Sequence, residues 1–310
     1  MTIILIALSL ERGIMQQDWT VRSVLDWTKE YFRRKGITAA RLEAEILLAH
    51  ALQSERLMLY LNPERPLTER ERADYKALVQ RRYEGAPLQY LIGLVDFYGC
   101  QIKVSPACLI PRPETEELVD LILADQKENR ASHLRILDLG TGTGAIAIAL
   151  ARAFRQARVL AVDISTVALG LAKENAASNR VDDRVSFVES DWYEKLEGKF
   201  DLIVSNPPYV PRSELSTLQP EVQREPEIAL NGGDSGLCSI SQIITQSAEF
   251  LLEDGTLYLE IGHNQGRDVH QLLSKTEHYR QIDILRDLSG KDRFARAFSA
   301  NVREQSLSPA

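Results

Sequence analysis

The sequence predicts an α/β protein in which an open, doubly wound sheet follows a small all-helical domain. Three observations carry this. Short apolar runs of strand length recur between residues 134 and 298, with helical spacing between most of them, the alternation that builds a sheet covered by helices. Residues 20–93 show helical spacing throughout. Between the two lies a stretch of apolar residues around a glycine, the mark of a hairpin. At 310 residues the chain has room for two domains of ordinary size. The expected layout is an N-terminal extension over 1–19, a helical domain over 20–93, a β-hairpin linker over 94–110, the larger α/β domain over 111–300 and a tail over 301–310.

The elements follow in order. The apolar run from Ile3 to Leu10 is too short to span a bilayer. No Lys or Arg precedes it, so it does not read as a secretory signal, and Met15 is a second candidate for the start. Val21, Val24, Leu25 and Phe32 share one face of a helix that ends near Gly36. Leu42, Ile46 and Ala49 mark a second helix, with Thr38 as its expected cap. Thr68 followed by Glu71 reads as a capping box for a third, with Leu78 and Val79 on its buried stripe. Gly85 and Pro87 then interrupt. Phe97, Ile102 and Val104 around Gly99 predict the hairpin, within Val95 to Ile110. Strands are expected at Leu134–Asp138, Val159–Val162, Val185–Val188, Leu202–Val204, Thr256–Ile261 and Phe294–Phe298.

Composition narrows the function classes. The net charge of −7 argues against a chain whose main task is gripping nucleic acid, because duplex binders need a basic footprint. Direct nucleic-acid binding is therefore not expected. Cys100, Cys108 and Cys238 lack C-x-x-C spacing, and the five histidines, His263 among them, lack metal-ligand spacing. These features read as reduced thiols in a cytoplasmic protein without a metal site or a membrane span.

The first chemical signal is Ile136 to Ala145, in which a buried strand runs into Gly140, Thr141, Gly142, Thr143 and Gly144 and then a helix. Glycines suit a turn whose backbone a ligand must touch. Asp163 closes the next strand, where a carboxylate can accept hydrogen bonds from both hydroxyls of a ribose. Gly140, Gly142, Ala145 and Asp163 also satisfy the relaxed dinucleotide fingerprint, so an NAD dehydrogenase stands as a rival at this point. Asp138, two residues before the glycines, favours S-adenosyl-L-methionine, since dehydrogenases usually place an apolar residue there.

The second signal is Val204-Ser-Asn206-Pro207-Pro208-Tyr209 after the fourth expected strand. Two prolines fix the backbone and remove two donors. An amide or aryl-amine nitrogen is a poor nucleophile because its lone pair is delocalised. The Asn206 side-chain oxygen and the Pro207 carbonyl can hold such an NH₂ by its two hydrogens, and Tyr209 can stack on the planar group. Rate then comes from positioning and from stabilising charge on nitrogen, and this pair of motifs makes sense only for methyl transfer.

Together, Gly140–Gly144 and Asn206–Tyr209 resemble the class I amino-methyltransferases, which modify exocyclic amines of adenine or cytosine or the amide of glutamine. Other segments resemble the peptide chain release factor N5-glutamine methyltransferase family more narrowly: Pro87–Gly93, Phe97–Gly99, Leu109–Glu116, Glu225-Pro226 with Ala229-Leu230, Gly232–Leu237, Glu260–Gly262 with Gln265, and Asp292-Arg293. The resemblance runs from about residue 20 to nearly the end. It implies a Rossmann-like class I methyltransferase fold, with the helical domain recognising substrate. The implied activity is methyl transfer from S-adenosyl-L-methionine to the glutamine of the Gly-Gly-Gln motif in release factors. It further implies that Gly140 to Gly144 face the methionine part of the cofactor, that Asp163 holds the ribose and that Trp192 flanks the adenine beside Asp191. Asn206 to Tyr209 would bind the glutamine and meet the cofactor at Asn206, and the Arg112 segment would help close the site. Trp192 has simple packing as its alternative, and Arg112 has an ion pair with Glu114 at a helix start.

A DNA adenine methyltransferase shares Asn-Pro-Pro-Tyr, but it must extrude a base from the duplex and usually carries a basic recognition domain. A non-catalytic protein that only binds the cofactor is the other alternative, and the intact Asn206 and Tyr209 argue against it.

Overall fold

The computed structural model describes residues 19–129 and 132–300. The N-terminal extension before Trp19, the choice between Met1 and Met15, and the tail over 301–310 lie outside the described residues. The chain divides between Ile92 and Gly93 into two compact units.

The first unit is helical. Helix α1 (Val21–Lys35) starts at a reciprocal cap between Thr20 and Ser23 and stops at Gly36, which adopts a left-handed conformation with φ 83°. Helices α2 (Ala40–Ala51), α3 (Arg56–Leu61), α4 (Glu69–Tyr83) and α5 (Leu88–Ile92) follow. The expected capping box at Thr68 and Glu71 opens α4. The expected cap at Thr38 does not form, because α2 begins one residue later, after Ala39, with no side-chain cap. Phe32, Leu47 and Leu48 are completely buried in a core shared with Val21, Val24, Tyr75 and Val79. Leu78 is only half-buried at the edge of that core. Helix α3 carries no periodic signal. It buries Leu59 and leaves Leu57, Met58, Tyr60 and Leu61 exposed.

The second unit begins with the hairpin β1 (Leu94–Phe97) and β2 (Cys100–Lys103), turning at Tyr98-Gly99 with Phe97 opposite Cys100. The hairpin ends at Lys103. Residues 104–112 form no helix or strand, a shorter hairpin than the apolar pattern suggests. The buried Asn175 explains where it is anchored: its side chain both accepts from and donates to the Lys103 backbone, at 2.8 and 3.0 Å.

Helix α6 (Pro113–Asp125) leads into the sheet strands β3 (Arg135–Leu139), β4 (Arg158–Asp163), β5 (Val185–Glu189), β6 (Phe200–Ser205), β7 (Leu251–Glu260), β8 (Tyr279–Arg286) and β9 (Asp292–Ser299). Between them come α7 (Ala145–Ala153), α8 (Thr166–Ser178), α9 (Cys238–Phe250) and α10 (Gly266–Lys275). The spatial order is β5-β4-β3-β6-β7-β9-β8. Strands β3 to β7 pair in parallel, while β9 runs antiparallel to both β7 and β8. This is the class I methyltransferase fold. The strand order reverses between β3 and β6, and an open α/β sheet binds its ligand in the crevice at such a reversal, beyond the carboxyl ends of the strands. Strand β3 is buried at every residue after Arg135, as expected for a parallel strand covered on both faces. Strand β8 escapes the sequence pattern because it is an edge strand, half-buried or exposed all along its length. Among the described residues, no helix is long and apolar enough to cross a membrane.

Candidate active site

Register brings the two motifs together. Leu139 of β3 lies opposite both Val162 of β4 and Ser205 of β6, and Ser205 lies opposite Leu259 of β7. One residue beyond this row stand Gly140, Asp163, Asn206 and Glu260. The buried Ser205 hydroxyl donates to the Leu139 carbonyl at 2.7 Å, tying the two motif strands at the level where both leave the sheet. A cleft of about 700 Å³ opens there, lined among others by Gly140, Thr143, Asp163, Trp192, Asn206 and Pro208. That size suits a small-molecule site, for which roughly 300–1,000 Å³ is usual.

The glycine loop is held from below. Asp138 is fully buried and accepts from the Thr141 hydroxyl at 2.6 Å and the Ala147 amide at 3.2 Å. Its other oxygen has no hydrogen-bond partner among the described residues. Burial pushes its carboxyl up to about 7, because the interior disfavours the charged form. The Thr141 amide donates to the Val162 carbonyl. Asp163 accepts from the Gly142 amide at 2.8 Å and the Ser165 amide at 2.9 Å, and each of its oxygens keeps a further lone pair. Burial raises its pKa while these amide donors oppose the rise.

The expected cofactor residues divide. Gly140, Thr141, Gly142, Thr143, Asp163, Asp191, Trp192 and Asn206 line the cleft. Gly144 is not among the residues that line it. It sits at φ 81° at the head of α7, and the place of a Cβ lies only 3.1 Å from that of Ala172 on α8. Close helix packing is by itself enough to demand a glycine at this position. Trp192 takes φ 47°, rare for a bulky residue, and its ring lies 3.4 Å from where a Gly140 Cβ would be. It walls the cleft while also packing against the core.

The tetrapeptide is clasped from behind. Asn206 donates through Nδ2 to the Thr115 hydroxyl at 3.1 Å, and Thr115 in turn donates to Glu260 at 2.7 Å. The Tyr209 hydroxyl donates to the other oxygen of Glu260 at 3.2 Å, and the Tyr209 carbonyl accepts from Gln265, which also reaches Gly236 and Gly262. Pro208 lines the cleft, whereas Pro207 is buried and Tyr209 is half-buried against the sheet core. Burial raises the Tyr209 pKa far above the usual phenol range, with the nearby Glu260 adding to it. Arg112 corrects another expectation. Its guanidinium pairs with Glu225 and not with Glu114, and Glu225 also accepts from the Ile110 amide at 2.9 Å. Arg112 is thus a brace for the segment Ala107–Pro111, which supplies one wall of the cleft. Burial pushes the Cys108 thiol on that wall up to about 12, which keeps it protonated and poorly nucleophilic. Among the described residues no cluster of His, Cys, Asp and Glu is arranged to hold a metal ion.

Sequence reasoning gave no role to Thr115, Glu260, Gln265 or Asn175. Each lies in or beside a segment of family likeness or on a helix face, but only the fold brings it to the site. Asn175 donates to the Thr143 carbonyl at 2.9 Å as well as clasping Lys103, so it joins the hairpin to the glycine loop.

Two family models match the chain: the PrmC N-terminal domain over residues 23–93 and the Methyltransferase small domain over residues 119–224. The "Release factor glutamine methyltransferase" of Rhodopirellula baltica is 40% identical over 281 residues, covering 89% of this chain and 95% of that protein. The chain belongs to the release factor glutamine methyltransferase family. A family member from Geobacter sulfurreducens is 43% identical over 83% of this chain and 89% of its own length. Among solved structures, the catalytic domain of hMettl16 in complex with MAT2A 3′UTR hairpin 6 aligns with a TM-score of 0.53 at 17% identity. It covers 66% of this chain and 77% of that chain, a likeness of fold alone. Family membership removes the dehydrogenase left open by the glycine fingerprint.

Proposed function

We propose that this chain transfers a methyl group from S-adenosyl-L-methionine to the side-chain amide nitrogen of the glutamine in the Gly-Gly-Gln motif of a peptide chain release factor, giving N5-methylglutamine. One observation carries the chemistry. The Asn206 amide is anchored through its NH₂ to Thr115, so its oxygen is the end left for an incoming NH₂, beside the glycine loop on the adjacent strand.

The cleft residues suit the cofactor. Asp163 offers unused lone pairs to sugar hydroxyls, Gly140 and Gly142 leave the loop backbone bare, and Asp191 and Trp192 supply a polar and an aromatic wall for a base. When bound, S-adenosyl-L-methionine supplies an electrophilic sulfonium methyl. The protein does the rest by placement. Asn206 and the Pro207 carbonyl hold the two hydrogens of the substrate amide and turn its lone pair outward. Transfer would make the N–C bond as the methyl's bond to sulfur breaks, leaving S-adenosylhomocysteine, and both acceptors would tighten on the hydrogens as positive charge grows on nitrogen. One of those protons would then pass to solvent water, giving a neutral secondary amide. Tyr209, seated on Glu260 behind the lining, would hold Pro208 in place as the wall that keeps the amide plane in register.

The helical domain would dock the release factor. The apolar side chains of Leu57, Met58, Tyr60 and Leu61 on α3 are exposed and offer a surface for a protein partner. A release factor substrate would place the enzyme in the cytoplasm.

The test is incubation of an unmethylated release factor with labelled S-adenosyl-L-methionine, followed by peptide mapping. Label on the Gly-Gly-Gln glutamine is expected, and label only in added DNA would refute the reading. Asn206→Ala should lower turnover about 100-fold or more while cofactor affinity changes little, since an acceptor that counts in the transition state is lost.

A further inference from the structure

We infer that the buried Glu260 carboxylate decides which end of the Asn206 amide faces the cleft, acting through the hydroxyl of Thr115. The inference rests on the glutamine-methylation reading and adds to it a positioning residue that touches no substrate.

The two ends of an asparagine amide are nearly equal in shape and opposite in hydrogen bonding. A substrate NH₂ presents hydrogens and needs the oxygen. Turned the other way, Asn206 would set donors against donors. The choice is made one bond further back. A hydroxyl has a single proton to give. An ionised carboxylate only accepts, so Thr115 spends its proton on Glu260, at 2.7 Å. What remains on the Thr115 oxygen are lone pairs, which can face only the NH₂ end of Asn206, at 3.1 Å. The Asn206 oxygen is thereby directed away from Thr115, and among the described residues it accepts no protein hydrogen bond. A group at 260 that can also turn a donor toward Thr115, as a glutamine amide or a protonated carboxyl can, leaves the chain free to reverse. Thr115 could then give its proton to the Asn206 oxygen and bring the NH₂ end round to the cleft.

Glu260 is placed behind the cleft and not in it. It is 1% exposed and absent from the cleft lining, while Thr115 and Asn206 both reach the cleft. Its second oxygen takes the Tyr209 hydroxyl, so one carboxylate holds both polar side chains of the tetrapeptide. The groups facing it are Thr115 and Glu114 from α6, Tyr209 from the segment after β6, and Arg293 from β9, whose guanidinium also reaches the Ile261 carbonyl and Asp287. Burial and Glu114 raise its pKa, while Thr115, Arg293 and Tyr209 hold it down, and the net direction is upward. As pH falls through that raised value the carboxyl gains a donor of its own, so Thr115 is no longer obliged to give its proton there and the orientation of Asn206 is no longer fixed.

The experiment compares the full-length wild type with T115V, T115S and E260Q, at saturating S-adenosyl-L-methionine and a full-length unmethylated release factor, across pH. T115V should lose about tenfold or more in kcat and E260Q a smaller share of it, with cofactor Kd within about twofold of wild type in both, because placement and not cofactor contact is disturbed. T115S, which keeps the hydroxyl, should recover most of that loss. Wild-type kcat should fall on acidification, and E260Q should lack that fall. Wild-type kcat in T115V, or an unchanged acid limb in E260Q, overturns the inference. Should E260Q fail to fold, the T115V and T115S pair decides it, since the two differ from wild type by one small group each. Absence of any transfer by the wild type would instead count against the glutamine reading.

Discussion

Alanine at position 144 tests how the glycine loop is built. Gly144 has φ 81°, and a Cβ there would lie 3.1 Å from the Ala172 Cβ, 3.3 Å from the Ile148 Cδ1 and 3.4 Å from the Ala172 Cα. Carbon atoms prefer about 3.5–4.0 Å, and an Ala172 Cα cannot rotate away. The left-handed backbone costs an L-residue about 1–2 kcal/mol, and inserting a methyl into a full contact costs about 1–3 kcal/mol more. The lower entropy of the unfolded alanine chain returns about 0.4–1 kcal/mol. Gly144→Ala should therefore destabilise the protein by about 2–4 kcal/mol. Relief requires α8 to retreat, and α8 carries Asn175, whose bonds to Lys103 and Thr143 would stretch. Gly142→Ala is the control. Its φ is 55°, and the nearest atom to its Cβ is the Gly140 oxygen at 4.0 Å, so only the backbone cost of about 1–2 kcal/mol applies. That variant should keep most of its stability and lose cofactor affinity. Urea unfolding at fixed slope separates the two. If Gly144→Ala costs under about 1 kcal/mol, or less than Gly142→Ala, the packing argument is wrong.

Two further outcomes follow from the carboxylates of the loop. Asp163→Ala should weaken cofactor binding by about 1–3 kcal/mol, the usual worth of hydrogen bonds to a charged group, and unchanged affinity by calorimetry would mean that the sugar is held elsewhere. Asp138, raised from 3.8 to about 7, holds a proton in the folded state that the unfolded chain releases. Its contribution to stability is complete below the unfolded value and is lost as pH rises through about 7. Wild-type stability should thus fall more steeply than that of Asp138→Asn between about pH 4 and 7, and parallel urea midpoints across that range would exclude a protonated Asp138.

What the chain reveals before folding depends on how local the signal is. Gly140–Gly144 and Asn206–Tyr209 are contiguous, and each states its chemistry within a few residues. Their convergence was legible as well, since each follows a strand. Thr115, Asn206 and Glu260 illustrate the opposite case. The Thr115–Asn206 bond spans 91 residues and the Thr115–Glu260 bond 145, and nothing near Thr115 announces a hydroxyl with a task. Gly144 was legible as a glycine but not for its reason, because Ala172 supplies the constraint from another helix. Arg112 was visible as a charge near a helix start, while its partner Glu225 is distant in sequence. Strand β8 and helix α3 were missed because a partly solvated edge and a single buried leucine leave too little periodicity to read. Thr38 failed as a cap because the helix begins after Ala39, one residue further on.

The insertion of β9 between β7 and β8 carries a consequence for biosynthesis. Strand β8 leaves the ribosome before β9, yet among the described residues its only sheet neighbour is β9. During translation β8 must wait unzipped, and β7 shows a bare flank, until Asp292–Ser299 emerges and slots between them. Glu260 pairs with Phe294 in that late arrival, so the carboxylate is sealed only at the closing step. A nascent chain with its glycine loop already folded would still lack the seal behind the tetrapeptide, and competence for transfer would begin only once that last gap in the sheet is filled.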